Sequence, residues 1–234
     1  MPHPHVIVER STAGYVRVLL SRPERRNALD PGMVTALAEA LTADPAQTVL
    51  LGSTDPRVFC AGADLGITDA ERGAVSDLLY GCFEVMITRP GPVIAVLDGP
   101  AVAGGAQLAT AADLRFAAPT ARLRWIGPPG AGLAVGAWIL PDLAGRGAAL
   151  ELTMTGRWVE AAEALALGLV TQIDENPGQA AASMAETLAA SPGGTGKIAK
   201  VKQVTAAGGL LDRLRAERDA NRAVWDEMIA RSPM

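Results

Sequence analysis

Histidine is almost absent from this chain of 234 residues: His3 and His5 are the only two, both at the N-terminus. That scarcity excludes a histidine-based triad or a histidine-ligated metal centre. The two cysteines, Cys60 and Cys82, make neither a disulfide framework nor a zinc-ligand spacing, and suit a reducing cytoplasm. Basic residues are not in excess, with 21 Lys and Arg against 25 Asp and Glu. No clustered positive surface is therefore expected, and no nucleic-acid partner. Aromatic residues make up only 4%, so the core must be built from Ala, Val, Leu and Ile. The start of the chain has no charged-then-apolar leader. The longest apolar stretch, Pro90 to Ala112, is interrupted by Asp98, Gly99 and Pro100. A membrane span needs ~20 uninterrupted apolar residues, so no membrane partner is expected and the chain reads as soluble and cytoplasmic.

What is present is a 49% hydrophobic content, enough for a large single core. Two β-rich runs, Val6–Glu9 and Tyr15–Leu20, predict an opening hairpin across Ser11–Gly14. Asp30-Pro31 is a helix start, after which Met33, Leu37 and Leu41 recur at helical spacing. Thr48–Gly52 and the wholly apolar Val93–Leu97 predict strands. A helix is predicted over Asp69–Thr88, with Leu78, Leu79, Phe83 and Met86 as its stripe, stopped by Arg89-Pro90. Gly104–Ala112 reads as helix, Leu114–Ala117 and Arg122–Trp125 as strands. From Gly136 the pattern is almost wholly helical, apart from a last strand at Val170–Ile173, with two or three helices between Glu186 and Ile229. This order predicts an α/β core over residues 1–175 and a helical region over 176–234 of the same domain.

Four segments carry a family resemblance. Arg22-Pro23 with Arg26-Asn27-Ala28-Leu29, Phe59-Cys60-Ala61-Gly62-Ala63-Asp64-Leu65, and Asp98-Gly99-Pro100-Ala101-Val102-Ala103-Gly104-Gly105-Ala106 are the first three. The fourth is Leu140-Pro141-Asp142-Leu143-Ala144-Gly145, followed by Thr155-Gly156-Arg157 and Ala161–Val170. In this order and spacing they resemble the crotonase (enoyl-CoA hydratase/isomerase) family over Arg22 to Val170. Beyond Val170 the sequence matches poorly, and the family's closing basic, Phe-containing helix has no evident counterpart.

The resemblance implies the crotonase fold, in which repeated ββα turns form a spiral core with a C-terminal helical trimerisation region. It implies an acyl-CoA ligand of fatty acid metabolism, no cofactor beyond the CoA of the ligand itself, and a homotrimer or dimer of trimers. By carry-over, the backbone amides of Ala63 and Gly104 would form an oxyanion hole for the thioester carbonyl. Glycine at 62 suits the tight turn, and Gly104-Gly105 open a helix where unpaired amides favour negative charge. Arg25, Ala28, Ala61 and Leu65 would line the CoA groove, with Arg25 equally readable as a solvated arginine.

The family's hydratases use two glutamates to handle a water. Gln107 stands at the first position, and an amide cannot take a proton at neutral pH. The second position falls on Gly127 counting forward or Trp125 counting back, neither a carboxylate. Gly130–Ala137 contains no acid either. Asp64 reads as a loop-fixing residue, Asp98 and Asp113 as turn caps, and Glu84 as part of a solvated helix face. No acid–base residue emerges, and losing two groups worth ~10²–10⁴ each leaves a poor hydratase. The sequence is thus consistent with an acyl-CoA binder or carrier, with an atypical isomerase, decarboxylase or thioester hydrolase, or with a structural subunit of a mixed oligomer.

Overall fold

Strands β1 (Val6–Arg10) and β2 (Tyr15–Leu20) pair antiparallel, Val8 opposite Val18, as the hairpin predicts. In the computed structural model, which describes residues 4–128, 131–206 and 208–231, every later strand of the main sheet adds in parallel. His3, Gly130 and Met234 lie outside the described residues. Strands β3 (Thr48–Ser53), β4 (Val93–Leu97) and β6 (Leu114–Ala117) follow, and β9 (Gln172–Ile173) closes a sheet of order β1-β2-β3-β4-β6-β9. A second, smaller sheet joins β5 (Ala101–Val102), β7 (Arg122–Arg124) and β8 (Val159–Glu160).

The two sheets arise from a repeat. Each turn gives one strand to the large sheet, one short strand or bridge to the small stack, and then a helix. Leu29 bridges Ala63 in parallel, Cys60 bridges Ala101, and β5 pairs in parallel with β7. The fold is the crotonase spiral of ββα turns. Because successive turns lie side by side, the residues that follow the short strands come together although they are distant in sequence. That stacking builds the site described below.

Helix α1 (Pro31–Ala43) begins where Asp30 accepts the Met33 amide at 2.9 Å, and it buries Met33, Val34, Leu37 and Leu41. Helix α2 (Asp69–Thr88) starts on a capping box: Thr68 Oγ1 accepts the Glu71 amide and Glu71 Oε2 accepts the Thr68 amide. Its buried face is Val75, Leu79, Tyr80, Cys82, Phe83, Met86 and Ile87, whereas Leu78 is 37% exposed and stands off the expected stripe. Helix α3 (Gly104–Ala111) is short and buried along nearly its whole length.

Helix α4 (Leu140–Thr155) bends at Gly145, whose φ of 78° leaves the helical region. Pro141 sits in the first turn, and Gly145 separates two helical pieces at this kink. Helix α5 (Ala161–Ala166) leads into β9, and α6 (Pro177–Ala190) covers the far face of the main sheet. Its Ala181, Ala182 and Ala185 pack on Tyr15, Leu50, Ile94, Val96 and Phe116. Small residues allow close approach there, which explains why β4 is buried on both faces. Helices α7 (Gly194–Ala206) and α8 (Leu210–Arg231) complete the chain, and α8 lies along α2.

Candidate active site

A cavity of about 260 Å³ lies between α2, the start of α3 and α8. The face of α2 that borders it is Arg72, Val75, Ser76, Leu79 and Tyr80, the 3–4 residue spacing of one helical side. Ala61, Ala63 and Leu65 form a second wall, Val102 to Gly104 with Gln107 a third, and Asn221 and Trp225 of α8 close it.

Ala63 and Gly104 meet because they occupy equivalent places in adjacent turns of the spiral. A Cβ on Gly62 would sit 2.8 Å from Ala103 Cβ and 3.7 Å from the Gly104 nitrogen, so only glycine permits this approach. Gly62 itself has φ +89°. Ala103 is held at φ 51°, ψ −121°, a region that L-residues rarely enter. Its amide is tied to Arg124 O at 2.9 Å, and the chain then turns into α3. Neither the Ala63 nor the Gly104 amide donates to a protein acceptor among the described residues. The cavity thus has two adjacent N–H donors, one at a helix N-terminus.

The motif residues around them act as scaffold. Asn27, fully buried, accepts the Arg22 amide and donates to Ser53 Oγ and to Phe59 O. Arg22 Nη1 bonds Asp64 at 2.9 Å and Ala28 O at 2.9 Å. Asp64 also accepts the Gly66 amide at 2.8 Å, and that amide with the Arg22 guanidinium holds its carboxyl below the ordinary value. Asp64 is therefore a loop-fixing residue, as its position suggested. Cys60 lies beneath, and burial pushes its thiol up to about 12; Cys82 is likewise at about 12, so neither supplies a thiolate.

The other sequence-derived candidates divide. Ala61, Leu65, Gln107 and Gly127 line the cavity. Arg25 is exposed beside the Asp64–Gly66 turn, and Ala28 is buried; neither borders the cavity. Trp125 is only 1% exposed and also stays off the cavity wall. It lies under the following loop, where a Cβ on Gly136 would come within 2.5 Å of its ring. Of the two counts for the second glutamate, the forward one, to Gly127, reaches the cavity. Asp113 does cap, accepting the Val93 amide at 2.7 Å. Asp98 does not: its carbonyl, not its side chain, accepts from Thr120, and burial raises its carboxyl. Glu84 is not free in solvent but pairs with Arg215 of α8 at 2.9 Å.

Gln107 Oε1 accepts from Trp138 Nε1 at 2.9 Å and from the Gly136 amide at 3.1 Å. Two donors aimed at one atom identify it as the oxygen, so the amide nitrogen is the end left for the cavity side.

One functional group escaped sequence reasoning. Glu217 of α8 is buried against this cluster, accepting Tyr80 Oη at 2.8 Å, the Gly136 amide at 3.1 Å and the Trp138 amide at 2.7 Å. Burial pushes its carboxyl up to about 7 despite those donors. Nothing local marks it, because α8 is highly charged and its acids read as solvated. The signal available was spacing: Leu214, Glu217, Asn221 and Trp225 form one helical stripe, with two polar members.

The sequence model described as Enoyl-CoA hydratase/isomerase matches residues 10–232. The chain belongs to the enoyl-CoA hydratase/isomerase family. The match extends past Val170 to the end of α8, over the part whose motifs are not evident in the sequence; helical sequence diverges freely where only a buried stripe is constrained. A relative in Thermus thermophilus is 41% identical over 194 residues, 75% of each chain. The human enoyl-CoA hydratase domain-containing protein 2, mitochondrial, is 39% identical over 75% of this chain, and the match spans 64% of its own length. Among solved structures, the enoyl-CoA hydratase from Bacillus anthracis superposes with a TM-score of 0.79 at 29% identity, covering 97% of this chain and 91% of that one. A monofunctional enoyl CoA isomerase from M. smegmatis gives 0.75 at 29% identity, covering 90% and 95%.

Proposed function

We propose that this family member binds an acyl-CoA thioester, with the Ala63 and Gly104 amides forming an oxyanion hole for its carbonyl, and that it is a poor hydratase. The observation that carries this reading is the pair of unpartnered amides on adjoining cavity walls, held there by a glycine at positive φ and a strained alanine. Such donors stabilise charge that builds on a carbonyl oxygen, at ~10²–10³ in rate each. The hydration half of the family's chemistry lacks its usual support: Gln107 turns its oxygen away to Trp138 and Gly136, and Gly127 has no side chain. Arg25, exposed beside the Asp64–Gly66 turn, would meet the CoA phosphates. A homotrimer or dimer of trimers belongs to the same reading, supported by the exposed apolar Val201 and Val204 on α7.

Calorimetric titration with crotonyl-CoA tests it. Saturable heat that then stops is expected, as is its loss in Gly104→Val, where the new Cβ would lie 2.8 Å from Leu79 Cδ1 and cover the amide. Robust hydration of crotonyl-CoA, or unchanged binding by folded Gly104→Val, would overturn it.

A second reading, an enzyme of atypical chemistry, is favoured by one observation: a carboxyl at about 7, one hydrogen bond behind the cavity wall.

A further inference from the structure

Among the described residues, the buried thiols, lysine and glutamate outside the expected catalytic positions are Cys60, Cys82, Lys202 and Glu217. The thiols stay protonated. Lys202 is committed to Asp113 at 2.7 Å and to the carbonyls of Met86 and Gly91, away from the cavity. Glu217 alone connects to the cavity, and it does so through Tyr80.

Resting on the thioester-binding reading above, we infer that Tyr80 and Glu217 form a proton relay that moves a proton to and from the carbons beside the bound thioester carbonyl. Tyr80 belongs to the α2 face that borders the cavity. Its hydroxyl donates to Glu217 Oε1 at 2.8 Å and accepts from Asn221 Nδ2 at 2.8 Å. A phenolic oxygen can accept twice: Asn221 takes one place, and Gln107 is the neighbour at the other, which a bound ligand would displace. Gln107 lies one turn into α3 from Gly104, ~4.5 Å along the axis, and influences the Tyr80 hydroxyl directly. Carbons adjacent to a carbonyl held at Gly104 therefore fall beside Gln107 and Tyr80.

The surroundings of Glu217 suit proton exchange near neutrality. Its recorded partners all donate to it, which favours the carboxylate, while burial favours the acid. The charged neighbours on α8 face elsewhere: Arg213 pairs with Asp142, Arg215 with Glu84 and Arg218 with Asp77. Tyr80 is the ionisable group in contact with Glu217. Burial, and then the adjacent carboxylate, push the phenol upward, so free phenolate is not populated. Tyr80 must give its proton to Glu217 as it takes one from the ligand.

Applied to a 3-enoyl thioester, the step balances without water or redox partner. The C2–H bond breaks, its proton goes to Tyr80 Oη, and the Tyr80 proton passes to Glu217 Oε1. The electron pair delocalises as a dienolate whose oxygen sits against Ala63 and Gly104. Tyr80 then returns a proton to C4 and recovers its own from Glu217, leaving the conjugated 2-enoyl thioester. This chemistry needs no positioned water, which the site lacks carboxylates to hold.

The test follows 3-hexenoyl-CoA in deuterated buffer by absorbance and mass spectrometry, with binding of hexanoyl-CoA measured alongside. Wild-type protein is expected to form the 2-enoyl ester and, because Tyr80 hands the C2 proton on to C4, to place little solvent deuterium at C4. Tyr80→Phe should lower turnover by ~10²-fold or more while its affinity for hexanoyl-CoA stays within about threefold. Glu217→Gln, if folded, should lose the limb of the pH profile near 7, a change that a structural role would not produce. Wild-type protein that binds hexanoyl-CoA but neither isomerises nor exchanges deuterium overturns the relay and leaves the binding reading intact. Tyr80→Phe turning over at the wild-type rate with the same pH limb also overturns it. Absence of hexanoyl-CoA binding overturns the binding reading and the relay with it.

Discussion

At the scale of single residues, the position of Glu217 ties protonation to folding. Its carboxyl sits at about 7 in the folded chain against an ordinary 4.5. Between those values the unfolded chain has already released the proton that the folded chain still holds, so stability falls as pH rises through that window and is flat above it. The effect is at most about 3.5 kcal/mol, since one pKa unit corresponds to ~1.4 kcal/mol. Urea midpoints at about pH 5 and about pH 8 should therefore fall more in wild-type protein than in Glu217→Gln. Equal pH dependence in the two would place Glu217 at its ordinary value. Gly62 and Ala103 show the opposite kind of legibility. The A-G-A-D motif announced Gly62, whereas the strain at Ala103 is visible only in its φ and ψ.

At the scale of elements, the helices are secured by different means. Helices α1 and α2 announce themselves by caps and apolar stripes, but α7 and α8 are held by charge and polar contacts. Lys202 of α7 spans to Asp113 and to the carbonyls that end α2, joining three segments through one ammonium. Burial lowers its pKa, and Asp113 opposes that shift. Lys202→Met should destabilise the protein by less than the ~3–5 kcal/mol typical of breaking a fully buried pair, because Asp113 keeps 26% of its side chain exposed. Chemical denaturation measures this, and no change in midpoint would mean that α7 docks by apolar contact alone. Helix α8 works similarly: Asn221 bonds both the amide and the carbonyl of Ala134, while Glu217 takes Gly136 and Trp138. One helix thereby fixes the segment from Ala134 to Trp138.

At the scale of the whole molecule, the cavity exists because α8 folds back over α2. A chain ending at Ala206 would lose Glu217, Asn221 and Trp225 together and open the faces of Val75, Leu79 and Tyr80 to water. It should lose saturable acyl-CoA binding and gain binding of an apolar dye. Retention of wild-type affinity would show that the spiral alone makes the pocket. Among the described residues no helix is long and apolar enough to cross a membrane.

The sequence alone determined the alternation of strands and helices, since strand patterning and the Asp30 cap are local, and the resemblance carried by the four motifs implied the spiral. It also placed Ala63, Gly104 and Gln107, because adjacent ββα turns bring motif positions together in every chain with this repeat. Tertiary structure decided the rest. Whether Trp125 or Gly127 faces the cavity depended on a loop whose length shifts the count. The role of Glu217 depended on a contact with Tyr80 across 137 positions. A carboxyl's chemistry is set by what buries and bonds it, and no local pattern records that.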